Sequence, residues 1–495
     1  MAVSTSRLCL VTGATGYIGG RLVPLLLGAG HRVRCLVRSP EKLRDVPWRD
    51  RVEVVRGDLL DADQVRSACE GVDVLYYLVH SLAKKGFADL DRRTAAVVGA
   101  EAERAGVAQI VYLGGVHPAS GRLSEHLRSR AEVGEILLRS GVPAVALQAA
   151  VIIGSGSASF EMLRYLTERL PLMVTPSWVR NRVQPIAIRD VLHYLVGAAR
   201  LPEPVNRTFD IGGPDVLTYA DMMRGFAVVA GLPRRRMVPV GVLSPRLSSL
   251  WINIVTPVPR GIGAPLIESL INEAICSEHD IDEFVPPPSG GTTGYRDAVA
   301  LALRKIRRGE VETRWSDASP ADAPWEPLPS DPPWSGGSAY RDVREHRTTA
   351  SAQDVWRVVE GIGGGNGWYS FPLAWAVRGW FDRLVGGVGL RRGRRDPRRL
   401  RTGDALDWWR VEELVEGRYL RLRAEMKVPG RAWLEMSVES NGEDGACYRQ
   451  CAVFIPRGLL GHAYWRAVAP FHGLIFGGMA RNITSAAERA RADQS

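Results

Sequence analysis

The opening twenty residues constrain this chain most. An apolar run, Leu8-Cys-Leu-Val-Thr12, breaks at Gly13-Ala-Thr-Gly16-Tyr-Ile-Gly19 and then continues in a helical pattern. An uninterrupted apolar strand of this length is buried on both faces, which places it inside a parallel sheet covered by helices. The pattern recurs. Residues 32–37, 52–57, 72–79, 109–114 and 143–148 are further strand candidates, separated by polar-apolar stretches such as Asp61–Glu70 and Phe87–Gly106. Six strands alternating with helices predict an α/β doubly wound parallel sheet with right-handed crossovers over residues 1–150.

The glycine turn has a chemical reading. One glycine lets the strand turn sharply, a second lets backbone approach a pyrophosphate, and a third lets the helix pack closely. The helix N-terminus offers N–H donors and a positive dipole end to the phosphates. Gly13, Thr15, Gly16, Tyr17, Ile18 and Gly19 are therefore candidate cofactor contacts. The end of the second strand discriminates between dinucleotides. NAD sites place an acid there, whereas this chain reads Val37-Arg38-Ser39, and Arg38 offers planar charged donors to a 2′-phosphate. Arg34 and Lys42 lie nearby in sequence. The expectation is NADP(H) rather than NAD. In the turn Gly57-Asp58-Leu59, Asp58 and Leu59 are placed at the adenine.

The TGATGYIGG motif, the LVRS strand end and the GDL turn resemble the atypical extended branch of the short-chain dehydrogenase/reductase superfamily, over about residues 1–290. The resemblance implies a Rossmann fold, cofactor contacts at Gly13, Gly16, Gly19, Arg38 and Asp58, and Leu78-Val79-His80 lining the nicotinamide side. Active members of that superfamily carry a Ser at the end of strand five and a Tyr-x-x-x-Lys on the next helix, through which a proton moves as hydride is transferred. None of the thirteen tyrosines here has Lys four residues on. Strand five ends in Leu113-Gly114-Gly115, and His126-Leu-Arg-Ser-Arg130 stands where the tyrosine motif is expected. Two readings follow. In one, the chain is an NADPH-dependent oxidoreductase that moves its proton through His126 or His80, with Arg130 helping to hold the cofactor. In the other, it is a non-catalytic NADP(H)-binding sensor or ligand carrier.

Residues 151–312 are less regular and read as a substrate lobe. Six prolines between Ser319 and Gly337 make a semi-rigid spacer, so residues 313–337 are assigned as a linker. Beyond it, Ser351-Ala-Gln-Asp354 is a capping box, followed by four strand candidates at 406–415, 418–428, 431–440 and 446–455 and a long helical stretch. In the second strand Leu420, Leu422, Ala424, Met426 and Val428 alternate with Arg421, Arg423, Glu425 and Lys427, the pattern of a half-buried antiparallel strand. Residues 338–491 resemble the α+β helix-grip (START/Bet v 1-like, DUF2867-type) domains. The resemblance implies a hydrophobic-ligand cavity, for which Trp408, Trp409, Trp433, Tyr464, Trp465 and Phe471 supply aromatic surface. The whole arrangement resembles an uncharacterised bacterial family with such a domain fused behind. Fusion suggests a bulky apolar carbonyl, enone or quinone-like substrate.

Composition narrows the alternatives. Lys+Arg minus Asp+Glu is 64 − 54 = +10, but only five of the basic residues are Lys and no nucleic-acid recognition module accompanies them, so no nucleic-acid partner is expected. Arg391–Arg401 holds seven arginines in eleven residues; it reads as a solvated loop or as a contact for an anionic partner or membrane. The uncharged Leu247–Pro259 is either buried in the lobe or rests on a lipid surface or partner. The six cysteines form no C-x-x-C and no His pair has zinc-finger spacing, so no metal is expected. With no signal-like start, the expected compartment is the cytoplasm.

Overall fold

The structure, a computed structural model, describes residues 6–44, 46–81, 86–118, 123–239, 256, 258, 260–309, 339–363, 367–369, 399–426, 428–442 and 445–492. The chain divides into two compact units, Met1–Gly337 and Ser338–Ser495.

The first unit is built on a seven-stranded sheet. Its strands are β1 (Leu8–Thr12), β2 (Arg32–Val37), β3 (Glu53–Arg56), β4 (Val74–Tyr77), β5 (Gln109–Gly115), β6 (Ala144–Ala149) and β7 (Arg207–Ile211), in the spatial order β7-β6-β5-β4-β1-β2-β3. Every neighbouring pair is parallel. All five residues of β1 are buried, because helices cover both faces. On one face α1 (Tyr17–Gly28) and α6 (Ile188–Ala198) close a core around Cys9, Val11, Val33 and Val145. On the other, α2 (Ala62–Cys69), α3 (Phe87–Arg104) and α4 (Glu125–Leu138) pack Ala68, Val98 and Val133 onto Leu10, Leu75 and Ile110.

The sheet is one strand larger than the sequence pattern indicates. β7 comes from the region read as substrate lobe and pairs with β6, Phe209 opposite Leu147. Its five residues, Arg-Thr-Phe-Asp-Ile, say nothing of their partner; the α6 crossover brings them to the edge of the sheet. The lobe proper packs α5 (Ala158–Arg169), α7 (Tyr219–Val229) and α8 (Arg260–Ser269) around Phe160, Met222 and Phe226.

The second unit is a six-stranded antiparallel sheet. It comprises β8 (Tyr340–Thr348), β9 (Ala405–Leu406), β10 (Trp409–Val415), β11 (Tyr419–Ala424), β12 (Gly430–Ser440) and β13 (Ala446–Pro456), ordered β8-β13-β12-β11-β10-β9. Helix α9 (Ala352–Glu360) begins where the capping box sits: the Ser351 hydroxyl accepts from the Asp354 N–H at 3.2 Å. One face of the sheet packs Leu420, Leu434, Met436 and Tyr448 against α9 and against Phe476, Met479, Ile483 and Ala487 of the final helix α10 (Gly458–Ala492). Trp408 and Trp409 are in this core. Trp433 faces the other way, since it alternates with Leu434, and its indole N–H donates to Glu412 at 2.8 Å. Trp465 stacks between Tyr340 and Phe454, and Tyr464 lies on Phe454. Phe471 is 59% exposed, which removes it from any cavity lining.

The linker 313–337 and the arginines 391–398 lie outside the described residues, as does all of Leu247–Pro259 except Thr256 and Val258. Among the described residues no helix is long and apolar enough to cross a membrane, and no group of His, Cys, Asp and Glu is placed to hold a metal.

Candidate active site

Strand order reverses between β1 and β4, and the site lies at their C-terminal edge. The turn after β1 fits a dinucleotide pyrophosphate. Gly13 adopts φ +79°, and a Cβ there would lie 2.8 Å from the Leu78 carbonyl oxygen. The Gly16 N–H donates to the Gly13 carbonyl at 2.9 Å, closing the turn. A Cβ on Gly19 would collide with that same carbonyl, so the third glycine brings the first turn of α1 against the strand. No side chain caps α1 and its first turn carries no acid, which leaves its positive end to an anion. Thr15, Tyr17 and Ile18 are half-buried along the turn, with Arg21 4.1 Å above the Tyr17 ring.

Arg38 is exposed at the end of β2 and has no hydrogen-bond or ion-pair partner among the described residues. Arg34 is different. Its guanidinium pairs with Glu53 and donates to the Ala68 and Glu70 carbonyls, all at 2.8 Å, so it stitches β2 to β3 and α2 instead of facing the turn. Asp58 is exposed and its carboxylate accepts from the Leu60 N–H at 3.0 Å. Leu59 is buried in the core and anchors that turn.

Past β4 the structure brings together residues that sequence held apart. The His80 and His126 rings stack with centroids 5.2 Å apart, at 27°. His80 Nδ1 lies 2.9 Å from the Asp91 carboxylate, whose second oxygen accepts from the Ser81 N–H at 3.1 Å. Asp91 is buried on α3; an ionised carboxylate only accepts, so His80 carries its proton on Nδ1. Its Nε2 is buried and has no partner among the described residues. His126 sits in the first turn of α4, which Ser124 caps by accepting from the Leu127 N–H at 3.2 Å. His126 Nδ1 is 2.9 Å from the Ser269 hydroxyl of α8, which also lies 3.0 Å from the Ser124 hydroxyl and 3.0 Å from the Pro265 carbonyl.

Arg130, one turn on, is buried with its guanidinium 3.9 Å from Asp91 and 3.4 Å from the Tyr112 hydroxyl. Its Nε and Nη2 have no hydrogen-bond partner among the described residues. The Tyr112 hydroxyl is occupied, donating to the Arg130 carbonyl at 3.0 Å.

This charge arrangement keeps both imidazoles neutral. Burial, reinforced by the Arg130 charge, pulls His80 from 6.5 down to about 4 against the pull of Asp91. Burial, then His80 and Arg130, pulls His126 to about 3. Burial raises the Asp91 carboxyl, but the His80 hydrogen bond and the nearby positive charges outweigh it and hold the group below its ordinary value.

α8 joins this pair to the lobe. Leu266 and Ile267 of the helix that carries Ser269, with Leu270 just beyond it, line a small apolar cavity together with Met162, Trp178 and Tyr219. Asp91, Tyr112 and Ser269 escaped the sequence reading. Asp91 left a trace: it falls, with Glu101, on the face of α3 that buries Phe87, Thr94, Ala95 and Val98. Ser269 left none, standing 143 residues from His126.

A glycine-cradled helix N-terminus at the reversal point of a parallel sheet defines an NAD(P)H-binding Rossmann domain. Comparison with known proteins agrees. A family model described as "NAD(P)H-binding" matches residues 13–155, and a second, described as "Protein of unknown function (DUF2867)", matches residues 334–479. Ceramide reductase of Caulobacter vibrioides is 30% identical over 311 residues, 60% of this chain and 95% of that protein. Sterol demethylase protein B of Methylococcus capsulatus is 39% identical over 132 residues, 24% of this chain and 38% of that one. Triphenylmethane reductase of Citrobacter sp., solved in complex with NADP(H), is 21% identical with TM-score 0.48, over 60% of this chain and 99% of that one. The chain belongs to the NAD(P)H-binding, atypical short-chain dehydrogenase/reductase-like family that includes the Caulobacter ceramide reductase, with a DUF2867 domain behind.

Proposed function

We propose that this chain is an NADPH-dependent oxidoreductase that reduces a bulky apolar carbonyl, enone or quinone-like compound, with His126 as the group that meets the carbonyl oxygen. The observation that carries the reading is the stacked His80–His126 pair at the sheet's reversal point, tied on one side to Asp91 and on the other to Ser269. Bound NADPH would supply the hydride. Gly13, Gly16 and Gly19 would hold its pyrophosphate, Arg38 its 2′-phosphate, Asp58 the adenine side, and Arg130 with the Leu78 edge the nicotinamide half.

With its pKa near 3, His126 works as a neutral imidazole. A neutral ring polarises a carbonyl through its N–H, and an alkoxide is basic enough to take that proton. Ser269 sets the tautomer. When its hydroxyl turns from Pro265 toward His126 Nδ1, the ring proton sits on Nε2 and is available for donation. As Nε2 gives that proton to the substrate oxygen, Nδ1 takes the Ser269 proton, and water entering after product release would return a proton to the Ser269 hydroxyl. His80, held by Asp91, is a positioning residue beneath the ring. The apolar cavity across α8 and the ceramide- and sterol-related names of the relatives support an apolar substrate. The second unit is read as a helix-grip carrier for the same class of molecule, supported by its antiparallel sheet closed by one long helix.

Steady-state NADPH consumption across long-chain ketones and quinones tests the proposal. Turnover that falls with His126→Ala while NADPH binding stays intact is expected. Tight NADPH binding with no turnover on any member of the panel would leave the non-catalytic sensor, a reading that the missing Tyr-x-x-x-Lys motif favours.

A further inference from the structure

The first half of α10 is apolar on the side where a surface helix should be polar. Residues 458–480 contain one charged side chain, Arg466. One side of this half-helix is spent internally: Trp465 stacks in the Tyr340–Phe454 sandwich, and Phe476 enters the core. The opposite side faces solvent with Leu459 46%, Leu460 77% and Phe471 59% exposed, and with Ala463, Ala467 and Pro470 exposed between them. A helix that is apolar all round belongs in a protein core or against lipid, and exposed large side chains in one contiguous stripe mark a contact surface.

We propose that this face docks on a bilayer surface carrying anionic headgroups. Charge selects the occupant. From Gly445 to Ala487 the chain has no Asp or Glu, and α10 carries Arg466 and Arg481, both exposed, with Arg457 just before it. Arg466 is exposed on the border of the stripe and has no partner among the described residues. A second copy of this chain meeting the same face across a two-fold axis would set arginine against arginine, and the described acid beside this half of α10, Asp342, is already paired with Arg344 and His472. Anionic phosphates complement the arginines, and acyl chains take Leu460 and Phe471, as in helices that lie in the plane of the interface. No described helix is able to span, so the contact is superficial.

Flotation of the full chain with vesicles of phosphatidylcholine and phosphatidylglycerol at 3:1, against pure phosphatidylcholine, tests the inference. Wild type is expected to float with the anionic vesicles and to release in high salt. Leu460→Glu/Phe471→Glu is expected to partition at least tenfold more weakly, and Arg466→Glu to lose the preference for anionic lipid. Both altered apolar side chains are mostly solvent-exposed, so the variant's melting temperature should match wild type; the milder Leu460→Ser carries the test if it does not. Wild type that stays with the soluble fraction, or variants that float equally well, would overturn the inference. So would a concentration-dependent dimer that the same substitutions dissolve, because it assigns the face to a second copy. NADPH binding is read on the same samples and is expected to be unchanged.

Discussion

Replacing Gly19 with Ala puts one methyl group where the structure has no room. Its Cβ would fall inside contact distance of the Gly13 carbonyl oxygen, 2.8 Å from that carbonyl carbon and 3.0 Å from the Ala14 Cα. All three are backbone atoms of the phosphate turn, so no flexible side chain can swing away. Either α1 lifts from β1 or the turn opens. Overpacking of this kind costs about 1–3 kcal/mol. The same movement carries the Gly16 N–H off the Gly13 carbonyl and spoils the donor array aimed at the pyrophosphate. At about 1.4 kcal/mol per decade, NADPH affinity should fall roughly tenfold to a hundredfold. Titration of NADPH fluorescence with purified Gly19→Ala, alongside its melting curve, measures both effects. A variant that binds NADPH like wild type and melts at the same temperature would refute the cradle as described.

Other consequences are testable in the same way. Because His80 and His126 have folded pKa values of about 4 and about 3, below the unfolded value near 6.5, the unfolded chain takes up protons first as pH falls. Their contribution is complete above about pH 6.5 and is lost as pH falls through about 4 for His80 and about 3 for His126; for His80 it is at most about 3 kcal/mol, and a His80→Gln/His126→Gln chain should show a flatter stability profile by denaturant titration over that range. Arg38→Ser removes charge-assisted donors worth about 1.5–3 kcal/mol, so NADPH should bind roughly tenfold to a hundredfold more weakly while NADH affinity barely moves; equal losses for both cofactors would place the 2′-phosphate elsewhere. Ser351→Ala deletes the cap of α9, for about 1 kcal/mol in the unfolding of the second unit.

How far the sequence revealed this molecule depended on the range of the interaction involved. The glycine turn, the strand ends and the capping box are local: each states its backbone requirement within a few residues, and each stands where the pattern puts it. The alternation of β11 puts Arg423 in solvent as expected, but Arg421, expected on the same open side, is buried beside Glu412, Glu435 and the Trp433 ring. The place of β7 in the sheet was hidden because only the α6 crossover makes it a neighbour of β6. Arg34 lies near Arg38 in sequence, but pairing across strands gives it to Glu53. The His80–His126 stack joins the end of one strand to the start of a helix 46 residues later, and the hydroxyl that orients it comes from Ser269 on a lobe helix. Phe471 was read as cavity lining because aromatic residues usually bury; only the rotation of α10, fixed by Trp465 and Phe476, turns it outward.

The role of His126 is tested most directly by NADPH oxidation with 2-decanone, comparing wild type and His126→Ala with the NADPH dissociation constant measured on the same preparations. The structure predicts that the rate falls by at least about a hundredfold, the general range for loss of a positioned proton donor, while the dissociation constant changes less than about threefold. Equal rates would show that the proton travels by another route and would remove the histidine pair from the chemistry.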